Sequence, residues 1–191
     1  FVDSPLSVHA TEIVKSYPHY FNSRIQKVLE RDEDPFGFPG LKYIKSVEES
    51  KLLNFRSEPC VIISASGMAT GGRVLHHLIQ MLPHSQNSIV FAGHQVEGTR
   101  GFLLANGEKQ IRIYGDDIDV FANIVHMEEL SAHADKEELI SWLKKMPKKP
   151  KKVFIVHGEQ EAAGSLQQII RDEMHWSVEI PQQQVGRAFA Y

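Results

Sequence analysis

The amino-acid sequence predicts an α/β fold in which a mostly parallel sheet carries helices on both faces. Short apolar runs that suit buried strands, such as residues 60–63 and 88–93, alternate with segments whose apolar residues recur at helical spacing. This alternation is the pattern of parallel strands joined by crossover helices. The chain has 191 residues, of which 42% are apolar and 24% charged, so it can bury a full core as one large domain or two small ones.

Charge and cysteine content narrow the function classes. The formal net charge is -3, so any polyanion binding must come from a local patch rather than from overall basicity. The single cysteine, Cys60, excludes an internal disulfide framework, and its apolar surroundings predict a buried thiol in a reducing compartment. Neither a signal peptide nor a run of about 18 apolar residues appears, which predicts a cytoplasmic protein without a membrane partner. The sequence opens on Phe1, and we expect it to be an excerpt of a longer protein.

The first part of the chain predicts short elements around a surface loop. Residues 31–40 combine a charge run with proline and glycine, which is typical of a solvated connector. The elements predicted around it are a strand end at 2–5, a helix at 7–20 with Ala10, Ile13, Val14 and Tyr17 on its partly apolar face, a helix at 22–30, a strand at 41–47 and a helix at 48–55.

A strand, a glycine-rich loop and a helix follow one another between residues 60 and 82. The helix is predicted from apolar residues at helical spacing, namely Val74, Leu75, Leu78, Ile79 and Leu82. Such a layout lets backbone amides approach a phosphate closely. The glycines Gly71 and Gly72 could equally serve only a tight turn and close helix packing. The loop is not a Walker A motif, because the lysine and the Ser/Thr of that motif are missing.

The strand at residues 88–93 leads into a second polar loop, residues 94–101. In an open parallel sheet, ligands bind at the carboxyl ends of the strands, and both this loop and residues 66–67 fall there. His94 lies in the same loop and could be functional, but a lone loop histidine is more often a surface or packing residue.

The pattern changes after residue 107. Residues 110–114 and 118–125 alternate apolar and polar side chains around a short turn, which predicts a hairpin and a domain boundary between about residues 107 and 130. Residues 144–152 hold six lysines, which could attract a nucleic-acid backbone, although such loops are commonly just solvated. A strand at 153–159, a helix at about 160–174 and a strand at 178–181 complete the chain.

Two histidines occupy similar positions in this last part. His133 lies just ahead of a helix that Asp135 and Glu138 are predicted to open as a capping box. His157 ends an apolar strand, with Glu159 close behind it. An exposed imidazole can ligate a metal, transfer a proton or hydrogen-bond a phosphate. Each alone is more often an ordinary structural histidine, and their shared placement makes them the candidate reactive site.

Four motifs together resemble one known family. They are residues 131–135 (SAHAD), residues 156–159 (VHGE), residues 64–68 (SASGM) followed by Gly71 and Gly72, and residues 98–99 (GT). In their order along the chain and in their spacing, these motifs resemble the β-CASP branch of the metallo-β-lactamase superfamily. That branch includes ribonuclease J and the endonuclease of pre-mRNA 3′-end cleavage. The resemblance implies that residues 1–128 are part of a β-CASP domain. It implies that residues 129–191 are the C-terminal segment of a metallo-β-lactamase αββα domain.

The resemblance also implies a chemistry. Enzymes of this family hold two zinc ions that activate a hydroxide for attack on an RNA phosphodiester. His133 matches the histidine placed at the scissile phosphate, and His157 matches a histidine that ligates or closely supports zinc. By the same resemblance, the residues that bind phosphate or line the groove for single-stranded RNA are Ser131, Ala132, Ser66, Gly67 and Met68.

One departure from the family limits these expectations. The main zinc ligands of the family lie in a His-x-His-x-Asp-His run, which is absent here, and the adjacent His76 and His77 would point to different faces of a helix. We therefore expect the main ligands outside this chain, in an N-terminal half of the same protein, and an inactive fragment. A homodimer is a further partner left open. The alternatives to a zinc-dependent ribonuclease are a non-catalytic β-CASP scaffold subunit and a nuclease of the same superfamily that acts on DNA.

Overall fold

Parallel strand pairs joined by helices recur through the part of the chain that the computed structural model describes, which is residues 1–31, 35–127 and 133–181. The residues up to 127 form one compact unit and those from 133 onward form another. The predicted α/β class with parallel strands is confirmed. No helix among the described residues is both long and apolar enough to cross a membrane.

The first unit contains most of the elements. They are β1 (Val2–Asp3), α1 (Pro5–Lys15), a 3-10 helix (Pro18–Tyr20), α2 (Ser23–Leu29), α3 (Val47–Leu53), β2 (Ile63–Ser64), α4 (Arg73–Met81), β3 (Ser88–Ala92), α5 (Arg100–Ala105), β4 (Gln110–Ile113), β5 (Asp116–Asp119) and β6 (Asn123–Met127). Strands β1 and β2 pair in parallel, as do β3 and β6, whereas β4 and β5 form an antiparallel hairpin.

The second unit is smaller. It contains α6 (Lys136–Lys144), β7 (Val153–Phe154), α7 (Gln160–Met174) and β8 (Val178–Glu179), and its two strands pair in parallel. Its core is built from Ile140 and Leu143 of α6, Ile170 of α7 and Val178 of β8. The sequence predicts an apolar face of α6 that includes Leu139 and Met146 as well, but both of these side chains are exposed.

Helix α4 supplies the centre of the core of the first unit. The side chains of Leu75, Leu78 and Leu82 are buried there, and Val74 and Ile79 pack against the same cluster. The other buried residues of this cluster are Ala69, Phe91, Leu104, Ile111, Ile113, Val120 and Ala122. The amphipathic helix predicted from the sequence is confirmed.

The predicted hairpin ends earlier than expected. Residues 118–125 were predicted as one strand, but the structure divides them between β5 and β6, and only β5 pairs with β4. Between the two strands, the amides of Phe121 and Ala122 donate to the carbonyl of Leu82 at 2.8 and 2.9 Å. These hydrogen bonds to the end of α4 redirect the chain, so that β6 joins β3 in parallel register.

The apolar run before the glycine loop, residues 60–63, differs from the buried strand that the sequence predicts. Only Ile63 and Ser64 of this run form a strand, and Val61 is 73% exposed. Cys60 is exposed as well, so the prediction of a buried thiol is wrong. Within the described residues β2 pairs only with β1, which leaves Cys60 and Val61 exposed and Ile62 half-buried.

A buried polar network holds the first unit together around Asp3, whose side chain has no exposed surface. Its Oδ1 accepts a hydrogen bond from Arg73 Nη1 at 2.6 Å, and its Oδ2 accepts one from Ser50 Oγ at 2.5 Å. His77 Nε2 lies 2.7 Å from the same Oδ2, and His77 Nδ1 lies 2.6 Å from Asn54 Oδ1. One carboxylate therefore joins β1, α3 and α4.

His76 is exposed on α4, so the prediction that the two adjacent histidines face different ways is confirmed.

The network also sets the ionisation of Asp3. Burial by itself raises the pKa of the carboxyl, but the hydrogen bonds from Ser50, Arg73 and His77 outweigh burial. The pKa of Asp3 consequently lies below its ordinary value. Arg73 is held on its other side by the carbonyls of Ile44 and Lys45, at 3.4 and 3.3 Å.

We predict that Asp3→Asn lowers the free energy of unfolding near neutral pH by about 3 kcal/mol, because it removes the charge that pairs with the partly buried Arg73. The folded-state pKa of Asp3 lies below the unfolded-state value of about 3.9. The contribution of Asp3 is therefore present above that value and is lost as the pH falls through the folded-state pKa.

The measurement is urea denaturation at a series of pH values. The gap between wild type and Asp3→Asn should shrink as the pH drops from 6 to about 3. Asp116→Asn, at an exposed carboxylate of β5, serves as the control and should change little at any pH. An Asp3→Asn gap of constant size across this range would contradict the assignment.

Candidate functional site

The glycine loop, residues 66–72, closes on itself between β2 and α4. The Oγ of Ser66 accepts hydrogen bonds from the amides of Thr70 and Gly71, at 3.1 and 3.4 Å, and lies 2.9 Å from Thr70 Oγ1. The amide of Ser66 donates to the carbonyl of Gly71 at 3.0 Å. Of the two roles that the sequence leaves open, this geometry supports the tight turn, because the amides of Ser66, Thr70 and Gly71 already donate hydrogen bonds inside the loop.

Two glycines allow the loop to approach its neighbours. Gly72 has φ +87°, and a Cβ there would lie 2.6 Å from the carbonyl oxygen of Ala65. A Cβ on Gly101 would lie 1.9 Å from Gln95 Oε1 and 3.1 Å from the backbone carbon of Met68. The amide of Gly101 also donates to the Met68 carbonyl at 3.0 Å. The loop therefore packs directly on the start of α5. Only glycine fits at position 72, and at position 101 a larger residue would require the Gln95 side chain to move.

Arg100 joins the same loop to the β4–β5 hairpin. Its Nη1 donates to the carbonyl of Ala69 at 3.4 Å, and its Nε donates to the carbonyl of Arg112 at 2.7 Å. Thr99 caps α5 just before it, accepting from the amide of Phe102 at 3.2 Å. The sequence predicts residues 66–67 and 98–99 at one sheet edge, but the structure places the preceding strands β2 and β3 in separate two-stranded sheets. The two loops instead meet through the hydrogen bond between Gly101 and Met68.

Arg100 and Asp3 were not singled out from the sequence. Their roles depend on partners far along the chain, so periodicity carries no signal for them. The only local indication for Arg100 was its position directly after the Gly-Thr motif at residues 98–99.

The two candidate histidines occupy equivalent positions in the second unit. His133 is exposed and stands two residues ahead of Asp135, the N-cap of α6. His157 is exposed and stands two residues ahead of Glu159, the N-cap of α7. Each imidazole is thus presented next to a helix start, where backbone amides favour anions. The backbone of His157 is left-handed, with φ +61°.

The capping box that precedes α6 is confirmed. Asp135 Oδ1 accepts from the amide of Glu138 at 2.8 Å, and Glu138 Oε2 accepts from the amide of Asp135 at 3.0 Å. This reciprocal pair determines where the helix begins and therefore where His133 stands. Ser131 and Ala132, the predicted phosphate-pocket residues beside it, lie outside the described residues.

Other candidates take different roles. His94 is exposed directly after β3. Half of the lysines of residues 144–152 make contacts within the second unit. Lys144 pairs with Glu173 at 2.9 Å, Lys152 pairs with Glu179 at 3.0 Å, and Lys149 Nζ donates to the carbonyl of His175 at 2.6 Å. These contacts support the solvated-loop interpretation.

The described residues contain no complete set of side chains for binding a metal ion. Across residues 1–31, 35–127 and 133–181, no three side chains of His, Cys, Asp or Glu come together as a metal site. The described residues therefore do not fit a pair of zinc ions, and His157 offers at most one ligand.

The chain belongs to the β-CASP family, because the model described as "Beta-Casp domain" matches residues 1–104. A second model, described as "Zn-dependent metallo-hydrolase RNA specificity domain", matches residues 117–181. The family resemblance inferred from the motifs is thereby confirmed.

Individual relatives agree with this assignment. The chain is 39% identical to the RNase J-like protein of Methanocaldococcus jannaschii, over 80% of this chain and 34% of the relative. It is 33% identical to ribonuclease TTHA0252 of Thermus thermophilus, over 84% of this chain and 36% of the relative. It is also 33% identical to transcription termination factor FttA of M. jannaschii, over 79% of this chain and 25% of the relative. The chain thus spans about a third or less of the length of these relatives.

We predict that Gly72→Ala lowers the free energy of unfolding by about 2 kcal/mol or more, because it combines a positive φ with a backbone clash against Ala65. Gly71→Ala is the matched control, since its added Cβ meets nothing within 4 Å. Thermal and urea unfolding of the two variants measure the difference. Equal losses of stability in both variants would contradict the close approach at Gly72.

Proposed function

We propose that the chain is part of a zinc-dependent ribonuclease that hydrolyses phosphodiester bonds of single-stranded RNA. The observation that carries this proposal is the equivalent placement of His133 and His157 ahead of two helices, within the segment that matches the RNA specificity domain. The names of the relatives, an RNase J-like protein and a ribonuclease, support the same substrate class.

His133 is the residue that we assign to catalysis. Its imidazole is exposed just ahead of the capping box of α6. An imidazole in this position can hydrogen-bond a phosphate or donate a proton to a leaving oxygen. Ser131 and Ala132 precede it in sequence, and we assign them to the pocket that receives the phosphate. None of these roles requires overall positive charge, which agrees with the net charge of -3.

His157 is assigned to the metal site as a single ligand. Its exposed imidazole, two residues ahead of the N-cap of α7, supports this role, because a neutral imidazole in solvent contact is a common zinc ligand. The remaining ligands are assigned to a part of the same protein outside the described residues. The chain covers about a third or less of its relatives, which leaves room for such a part.

The glycine loop is assigned to the path of the RNA. Gly67 is exposed and Met68 is partly buried against α5, so both can line a groove. Ser66 acts differently, because its hydroxyl holds the amides of Thr70 and Gly71 and so shapes the loop. We also propose residues 1–128 as β-CASP domain and residues 129–191 as metallo-β-lactamase segment, supported by the separation of the two compact units between residues 127 and 133.

We predict that His133→Ala in the full-length protein lowers kcat on single-stranded RNA by about 100-fold or more while leaving the zinc content unchanged. His157→Ala should lower the zinc content as well as the activity, because it removes a ligand. His84→Ala, at an exposed histidine beyond α4, is the control and should match wild type in both.

Steady-state kinetics and metal analysis of the purified variants decide these roles. Loss of zinc from His133→Ala would contradict its assignment to catalysis. A full-length wild type that binds zinc and RNA but cleaves neither RNA nor DNA would favour the scaffold alternative.

We predict that residues 1–191 alone do not cleave RNA in the presence of zinc. The physical reason is that the described residues assemble no three-ligand site. The measurement is cleavage of a labelled single-stranded RNA, compared with the full-length protein at equal concentration. Zinc-dependent cleavage by the isolated chain would contradict the proposal that the other ligands lie elsewhere in the protein.

A further inference from the structure

An exposed aromatic pair lies where the β4–β5 hairpin meets α4. Tyr114, at the tip of the hairpin, is 61% exposed, and its ring centroid lies 5.2 Å from that of the exposed His76, with the ring planes inclined by 34°. We propose that Tyr114 and His76 form a stacking platform for one unpaired base of the RNA substrate. This inference rests on the function proposed above and deepens it.

The backbone at Tyr114 is the first reason for the proposal. Ile113 pairs with Asp116, so the hairpin turn consists of Tyr114 and Gly115 alone, with φ +53° and +102°. A two-residue turn with both φ values positive strongly favours Asn-Gly or Gly-Gly, and a tyrosine there is strained. Because most of the ring is in solvent, burial does not compensate for this strain. A strained, exposed aromatic residue is better explained by a ligand than by folding.

The position of the pair is the second reason. His76 lies on α4, four residues after Gly72, and helical side chains lean toward the helix N-terminus, which here is the glycine loop. Arg100 connects the other half of the pair to the same loop, since its guanidinium holds both Ala69 and Arg112, two residues before Tyr114. The platform is thus fixed beside the loop that we assign to the RNA path.

The chemistry of the tip is the third reason for the proposal. Asp116 and Asp117 follow the turn, and Arg112 lies 3.9 Å from Asp117 and is partly neutralised by it. The flat face of Tyr114 offers dispersion and stacking to the face of a base. Bases in a duplex are already stacked, so the ligand is a base in a single strand.

The experiment compares three variants of the full-length protein in binding a fluorescein-labelled single-stranded RNA by anisotropy. Tyr114→Asn should raise Kd about 10-fold, because it removes one base-stacking contact. Its melting temperature should be equal to that of wild type or higher, since asparagine suits the turn. Tyr114→Phe keeps the stacking face and should bind within about 2-fold of wild type. Phe121→Asn, at a 63% exposed aromatic residue of the same unit, is the matched control and should leave Kd unchanged.

A direct readout uses an oligonucleotide that carries 2-aminopurine, whose fluorescence is quenched when the base stacks. Quenching on binding should occur with wild type and Tyr114→Phe and should be lost with Tyr114→Asn. Affinity for double-stranded RNA should not differ between these proteins.

Several results would overturn the platform. They are an unchanged Kd and unchanged quenching in Tyr114→Asn, an equal weakening by Phe121→Asn, or a fall in melting temperature that accounts for the lost binding. If wild type binds and cleaves single-stranded RNA in these cases, the platform alone fails and the proposed function stands. A wild type without RNA binding would instead remove the proposed function together with the platform.

Discussion

The buried carboxylate of Asp3 is the interaction on which the first unit depends. A charge without contact with water is tolerated only when it is paired and fully hydrogen-bonded, and Asp3 achieves this with Ser50, Arg73 and His77. Arg73 is the first residue of α4, so the ion pair fixes the start of that helix relative to β1. The glycine loop ends one residue earlier, and its position therefore follows from a contact in the core.

The loop shows how a fold can prepare a surface from backbone alone. Ser66 organises the amides within the loop, Gly72 and Gly101 allow neighbouring segments to touch, and Arg100 ties the loop to the hairpin. Because the polar side chains are used internally, what the loop offers to a ligand is its shape and the backbone around the exposed Gly67. We propose that this surface follows the RNA backbone by shape and not by base sequence.

The second unit presents chemistry instead of shape. His133 and His157 each precede a helix N-cap by two residues, so the same local device is used twice to expose an imidazole. The described residues do not complete a metal site, and the chain covers about a third or less of its relatives. Membership of the β-CASP family therefore defines the family to which these residues belong, whereas the hydrolytic centre is proposed for the whole protein.

Local spacing determined much of this protein. The capping box at Asp135, the buried face of α4 and the β4–β5 hairpin all depend on residues a few positions apart, and each was predicted from the sequence, although the hairpin turn lies at residues 114–115 instead of 115–117. Tertiary structure alone decided the rest. The partners of Asp3 lie 47, 70 and 74 residues away along the chain. Cys60 is exposed because β2 pairs with only one described strand. The chain after β5 turns, and its amides donate hydrogen bonds to the carbonyl of Leu82. The physical reason is that periodicity reports which side of an element is apolar, whereas the identity of the partner depends on how distant segments pack.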